Sequence, residues 1–326
     1  MTPFVRSRVV VLALAVAAVV AACSSGDDGN GSTAPPADGE LSVQVASFDV
    51  AVGPPSRFMI GVLTPENELV GFGTVDLRFV FVGTGQGTVA RQPSAPVKAS
   101  YVLIPGATAP SPEPAEPRFV KGSERGVYVA DAGFDRAGFW QVEATVRIDG
   151  RERRGTGAFP VNERHAVPAP GDPALPTENL TLSTPDAPRA AVDSRAGSNG
   201  EVPDPGLHGT TIAAALASRR PVVAVFSTPV YCQSRFCGPV TDVVDELARS
   251  YGDRASFVHI EIWRDFQGQA LNKAAADWLL RDDDLTEPWV FVIGAEGRIA
   301  ARFDNVVTRA DLEPLLQQLP VIGPAA

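Results

Sequence analysis

Cysteine, histidine, methionine and lysine are all scarce in this chain of 326 residues. The lysines are only Lys98, Lys121 and Lys273, and acidic residues outnumber basic ones, 38 to 28, for a formal net charge of -10. No basic patch or stripe can be assembled from such a set, which argues against nucleic-acid binding. Beyond Met1 the only methionine is Met59, and no histidine falls between residues 41 and 160. That removes a copper site from this stretch, where Tyr128 and Trp140 read as core. No cofactor is implied anywhere. Three cysteines, Cys23, Cys232 and Cys237, bound the thiol chemistry. The one sustained apolar run, Val9 to Val20, is too short to cross a bilayer comfortably.

That run follows Arg6 and Arg8 and ends in Val20-Ala21-Ala22-Cys23, with Ser24-Ser25-Gly26 beyond. A positive start, an apolar centre and small residues before a cut form an export signal. The segment resembles the lipobox of bacterial lipoproteins, in which the signal (here residues 1–22) is removed and the cysteine, here Cys23, carries the lipid. The resemblance implies an extracytoplasmic protein tethered to the cell membrane through acylated Cys23, since several acyl chains anchor stably. Residues 23–40 are small, polar and rich in Pro and Gly, which makes a flexible tether. With Cys23 lipidated, Cys232 and Cys237 remain, and outside the cytoplasm two nearby cysteines default to a disulfide.

Period-2 alternation runs through residues 41–160, as in Leu41/Val43/Val45, Val75/Leu77/Phe79/Phe81 and Trp140/Val142/Ala144/Val146/Ile148. Turn signals at Gly53-Pro54-Pro55 and Asp149-Gly150 separate the runs. Six or seven short strands without a helix predict an immunoglobulin-like β-sandwich. Residues 161–205 are punctuated by proline and read as a linker, with Leu180 and Leu182 available to dock on a neighbour. From 206 to 320 the periodicity predicts a short helix at 210–217, a buried strand at 222–226, a helix after Cys237, then strand, helix, two strands around 294–297 and a closing helix. Such alternation predicts an α/β domain.

The chemistry is concentrated in Phe226-Ser227-Thr228-Pro229-Val230-Tyr231-Cys232-Gln233-Ser234-Arg235-Phe236-Cys237-Gly238-Pro239, where a strand passes into a helix. A helix N-terminus favours the thiolate, which is the reactive form of cysteine. In an ideal helix, residues five apart have Cα atoms roughly 8–9 Å apart, and a disulfide requires less than about 7 Å. Cys232 is therefore expected in the loop, with Cys237 near the helix start. This arrangement, with Glu287-Pro288 before the strand Trp289-Val290-Phe291-Val292, resembles the thioredoxin fold over residues 206–320. The resemblance implies a cis Pro288 beside the cysteine pair, thiol–disulfide oxidoreductase activity and protein thiols or disulfides as substrates. The family spacing is Cys-x-x-Cys, whereas four residues separate this pair.

Two registers remain open. Cys237-Gly238-Pro239-Val240 is similar to the family tetrapeptide with its last cysteine replaced, which makes Cys237 the nucleophile. Element lengths instead favour Cys232 as nucleophile and Cys237 as resolving partner. The first strand lacks the acid that the family carries, and His259 and Glu261, on one face of the next strand, are candidate substitutes. Arg235 stands between the cysteines, where it would favour a thiolate. His165 and His208 are assigned no role. Two alternatives accompany the oxidoreductase. One is a non-catalytic binding or scaffold lipoprotein with a loop-closing disulfide. The other is copper delivery, as in the Sco-like branch of the same fold.

Overall fold

The computed structural model describes residues 41–85 and 92–323. The export signal and Cys23 lie outside the described residues. Among the described residues no helix is long and apolar enough to cross a membrane.

Nine strands build the first part: β1 (Leu41–Val45), β2 (Gly53–Leu63), β3 (Leu69–Gly71), β4 (Thr74–Gly83), β5 (Val97–Leu103), β6 (Arg118–Phe119), β7 (Gly126–Phe134), β8 (Gly138–Ile148) and β9 (Arg151–Val161). They form one sheet in the order β1-β9-β8-β4-β5-β7-β2-β3-β6. β1 pairs at once with β2, antiparallel, and with β9, parallel, so seven strands close on themselves as a barrel and β3 and β6 extend from it. The interior holds the alternate residues of each strand, among them Val43, Phe58, Leu77, Phe79, Phe134, Val142 and Phe159, with Phe58 and Phe79 edge to face at 5.2 Å. Tyr128 is wholly buried and donates its hydroxyl to the Phe72 carbonyl, and Trp140 lies in the same core.

Closure depends on two glycines. A Cβ on Gly155 would meet the Leu41 carbonyl oxygen at 2.4 Å, and one on Gly157 the Val43 carbonyl oxygen at 2.3 Å. Glycine at both positions lets β1 lie against β9, the close backbone approach that interior glycines in strands mark.

Past the barrel, residues 163–210 pack over the second region as a strap and contain one α-helical turn, α1 (Arg189–Val192), and one 3-10 turn at Pro205–His208. Then follow α2 (Ile212–Ala217), β10 (Val222–Ser227), α3 (Cys237–Tyr251), β11 (Ser256–Glu261), β12 (Trp263–Asp265), β13 (Ala270–Leu271), α4 (Lys273–Leu279), β14 (Trp289–Ile293), β15 (Ile299–Asp304) and α5 (Arg309–Gln317). Four of these strands form a small mixed sheet, β11-β10-β14-β15, while β12 and β13 form a separate ribbon. Every residue of β10 is buried. Val222, Ala224 and Phe226 face a core closed by Trp278 of α4, and Val223 and Val225 face one closed by Val240, Val244 and Leu247 of α3 and by Leu312 and Leu316 of α5. In α3 the apolar positions 240, 243, 244 and 247 recur at helical spacing, which sets the helix on the sheet.

The expected fold class, an immunoglobulin-like sandwich followed by an α/β thioredoxin-like domain, is thereby corrected. Among the described residues strand takes 38% and helix 17%, and the architecture is a closed seven-strand barrel with smaller sheets beside it. Period-2 alternation has the same appearance in a sandwich and in a barrel, because both bury one face of each strand. The closing pairs of β1 decide between them, and those are long-range contacts that alternation does not report. In the second region the helices are short: α2, α4 and α5 have 6, 7 and 9 residues. The apolar periodicity of 269–280 divides between the ribbon strand β13 and α4.

The barrel and the small sheet are joined through polar contacts. Asp304, at the end of β15, accepts the Phe48 amide N–H, and Asn305 donates to the Ala46 carbonyl at 2.9 Å. Arg302 pairs with Asp49 at 2.8 Å and lies over the Trp289 ring. Burial raises the Asp49 carboxyl, but the hydrogen bond to His165 and the charge of Arg302 outweigh it and hold the group well below the ordinary range.

Candidate active site

Cys232 and Cys237 are bonded to each other, with Cα atoms 6.0 Å apart. Cys237 is the first residue of α3 and Cys232 sits in the preceding loop, the placement expected from their spacing. The two sulfurs have unequal surroundings. Cys237 is fully buried, while Cys232 is partly exposed. The Cys237 backbone N–H, at the open end of the helix, points to the Cys232 sulfur at 3.4 Å, and the Ser234 hydroxyl lies 3.3 Å from that sulfur. Unpaired N–H groups at a helix start stabilise negative charge, so the local field favours a Cys232 thiolate once the bond is reduced. Arg235, at the tip of the loop, is exposed with φ of 65°.

The Glu287–Pro288 peptide is cis. Glu287 is the residue that sequence reasoning did not single out. One of its carboxylate oxygens and the two sulfurs all lie within 4.8 Å of one another. Burial raises the Glu287 carboxyl from 4.5 to about 7, with further contributions from the charges of Glu261 and Asp284. A group that shares its proton near neutrality thus stands against the disulfide. Its one sequence signal is that it is the acid directly before Pro288. The oxidised pair offers no thiolate to a metal, so these three groups are read as a proton-and-sulfur site.

Behind the pair lies a buried polar network. Thr241 in α3 donates to the Cys237 carbonyl at 2.8 Å and lies 2.7 Å from the Ser227 hydroxyl. Ser227, the last residue of β10, meets His259 Nε2 at 3.0 Å. On its other side, the His259 ring faces Asp193 of the strap, Nδ1 to carboxylate oxygen 3.6 Å. Asp193 is also held by His208 at 3.3 Å and by Arg195 at 2.8 Å, and Arg195 and His208 both reach Asp204. Burial pushes the Asp193 carboxyl up, yet hydrogen bonds from His208 and Arg195 and the nearby His259 ring hold it far below the usual range. Burial disfavours the His208 cation, but Asp193 and Asp204 reverse that and raise its pKa.

Asp193, His208 and His259 stand at distances a metal could bridge. The guanidinium of Arg195 already covers Asp193, however, and the set is read as a charge network that fastens the strap. Glu261, next on the same face of β11, accepts the Ser194 and Trp263 amide N–H groups. His259 and Glu261 therefore face the strap, and the cysteines' acidic neighbour is Glu287. His208, given no role from sequence, is fully buried in this network. Asp193 and Asp204 lay in what read as a linker. The signal for their burial was slight, an Ala191-Val192 pair just before Asp193.

No protein-family model matches the chain, and no curated protein matches it.

Proposed function

We propose that this chain is a thiol–disulfide oxidoreductase that acts outside the cytoplasm, held to the membrane by a lipid on Cys23. The observation that carries the reading is the asymmetric pair, a partly exposed Cys232 sulfur at a helix N-terminus and a buried Cys237, with the Glu287 carboxyl near both sulfurs. The export signal and lipobox resemblance support the location, and the disulfide is compatible with it.

Exposure and the helix field support the register with Cys232 as the nucleophile. A substrate thiolate attacks Cys232 Sγ, forms a mixed disulfide there and breaks the bond to Cys237. Cys237 leaves as a thiolate and takes the proton from protonated Glu287. A second substrate thiol then attacks the substrate sulfur of the mixed disulfide and releases Cys232 as its thiolate. Two substrate thiols are oxidised to one disulfide, and the protein pair is reduced to the dithiol. The same steps run backwards reduce a substrate disulfide, with Glu287 accepting the Cys237 proton.

A non-catalytic binding protein with a loop-closing disulfide is the second reading, favoured by the complete burial of Cys237. Equilibration of the full chain against a graded thiol–disulfide buffer, with free thiols trapped and counted, separates the two. The oxidoreductase is expected to titrate above about -300 mV and to exchange with a dithiol or a peptide thiol. A pair that stays oxidised well below that potential and exchanges with neither belongs to the structural class.

A further inference from the structure

Beside the disulfide runs a groove of about 690 Å³, a size in the range of ligand-binding clefts. One bank is the cysteine loop itself, through Tyr231, Gln233 and Ser234. Tyr231, next to Cys232, stacks flat on Phe266 at 3.9 Å between ring centres, and Trp263 meets Phe266 edge-on at 5.4 Å. Phe266 comes from the β12–β13 connection and is 37% exposed. These rings form an accessible aromatic wall.

The opposite bank is acidic. Asp283, Asp284 and Glu287 line it, and no lysine or arginine lines the groove. Asp283 and Asp284 are exposed and take part in no ion pair among the described residues. A tight turn holds them. Arg281 and Asp284 exchange backbone hydrogen bonds at 2.9 and 2.8 Å, with φ of 48° at Asp282 and 63° at Asp283, the geometry of a two-residue I′ turn. The Arg281 side chain donates to the Ala166, Leu280 and Trp278 carbonyls.

We propose that this groove seats the substrate, a cationic polypeptide segment that carries an aromatic or apolar side chain beside its cysteine. The inference rests on the oxidoreductase reading and names its substrate class. The ring wall takes the apolar side chain and the acidic bank takes the lysine or arginine. The substrate sulfur is then delivered to Cys232 at the edge of the groove. Complementary charge across such a contact acts mainly on the rate of encounter and on the exclusion of wrong partners.

The test uses the oxidised full chain and three reductants: dithiothreitol, a short peptide with one Cys flanked by Lys and Phe, and its counterpart with Glu in place of Lys. The cationic peptide is expected to exchange about tenfold faster than the acidic one at low salt, with the gap shrinking at high salt. In Asp283→Asn/Asp284→Asn each peptide rate is taken relative to the dithiothreitol rate of the same variant, so that the effect of the lost Asp284 charge on Glu287 is common to all three reductants and cancels. The gap should then shrink several-fold, and an unchanged thermal unfolding transition shows that the variant is folded. Equal peptide rates, or a preference unchanged in the double variant, overturn the inference. A parallel measurement follows binding of the Cys→Ser cationic peptide to the oxidised protein by tryptophan fluorescence. Binding that weakens in the double variant, in a protein that exchanges with no thiol, leaves the groove assignment standing and sinks the oxidoreductase. Absence of binding together with absence of a peptide rate preference sinks the groove.

Discussion

Glu287→Gln separates a titrating acid from an inert polar side chain of the same shape. In the folded protein, burial, Glu261 and Asp284 hold the Glu287 carboxyl at about 7 rather than 4.5. The protonated form is therefore the one compatible with the fold. The stability it allows is fully present below pH 4.5 and is lost as pH rises through 7. The gap between the two values corresponds to about 3 kcal/mol at 1.36 kcal/mol per pH unit, reduced toward about 2 because the side chain is partly exposed and solvent screens it. Urea denaturation of oxidised wild type and Glu287→Gln, at intervals from pH 4.5 to 8.5, measures the difference. The variant should gain on the wild type by about 2 kcal/mol across that range. Other titrating groups are common to both proteins and cancel. Parallel curves for the two proteins would refute the reasoning, because Glu287 would then titrate as an ordinary surface acid.

Replacing both Cys232 and Cys237 by serine should lower stability by about 2 kcal/mol, the chain-entropy figure for so short a loop, as read from denaturation midpoints. Asp193→Ala removes one of the two carboxylates that hold half-buried Arg195 and buried His208, with Asp204 still in place, and a loss of about 1–3 kcal/mol is expected, with faster amide exchange along residues 189–210. Gly155→Val drives a side chain into the Leu41 carbonyl and should unpair β1 from β9, visible as lost exchange protection in residues 41–45 ahead of the rest of the barrel. In the reduced protein, an alkylating agent should modify Cys232 well before Cys237, with mass spectrometry of the digest giving the order; equal labelling would contradict the exposure difference.

The elements that the sequence made legible are those with strong periodicity. Val222–Phe226, Trp289–Ile293 and the helix that follows Cys237 fall where their patterns place them, because each is a local record of which face is buried. Closure of the barrel was not legible, since it rests on β1 meeting β9 across more than a hundred residues. Gly155 and Gly157 were the trace of it, two glycines at alternate positions of one strand. At the site, the cysteines and Pro288 carried visible signals. Glu287 did not, because its altered proton affinity comes from burial and from Glu261 and Asp284, groups that only the fold assembles. The strap was misjudged for a related reason. Proline density described its backbone correctly as irregular, but irregular chain can be fastened by charge, and Asp193, Arg195, Asp204 and His208 do so.

The polar joint between barrel and small sheet bears on how far this protein can be treated as separable parts. Arg302, Asp304 and Asn305 belong to the small sheet's own edge, yet their partners Asp49, Phe48 and Ala46 lie just past the first barrel strand. A fragment beginning near residue 206 would expose an arginine and a buried-type aspartate with nothing to meet them, and would also lose the strap that fastens His259 and Glu261. Transplanting the cysteine region onto another carrier therefore means carrying residues 46–49 and 163–210 with it. The unit that a protein engineer could move, or that recombination could shuffle intact, is nearly the whole described chain.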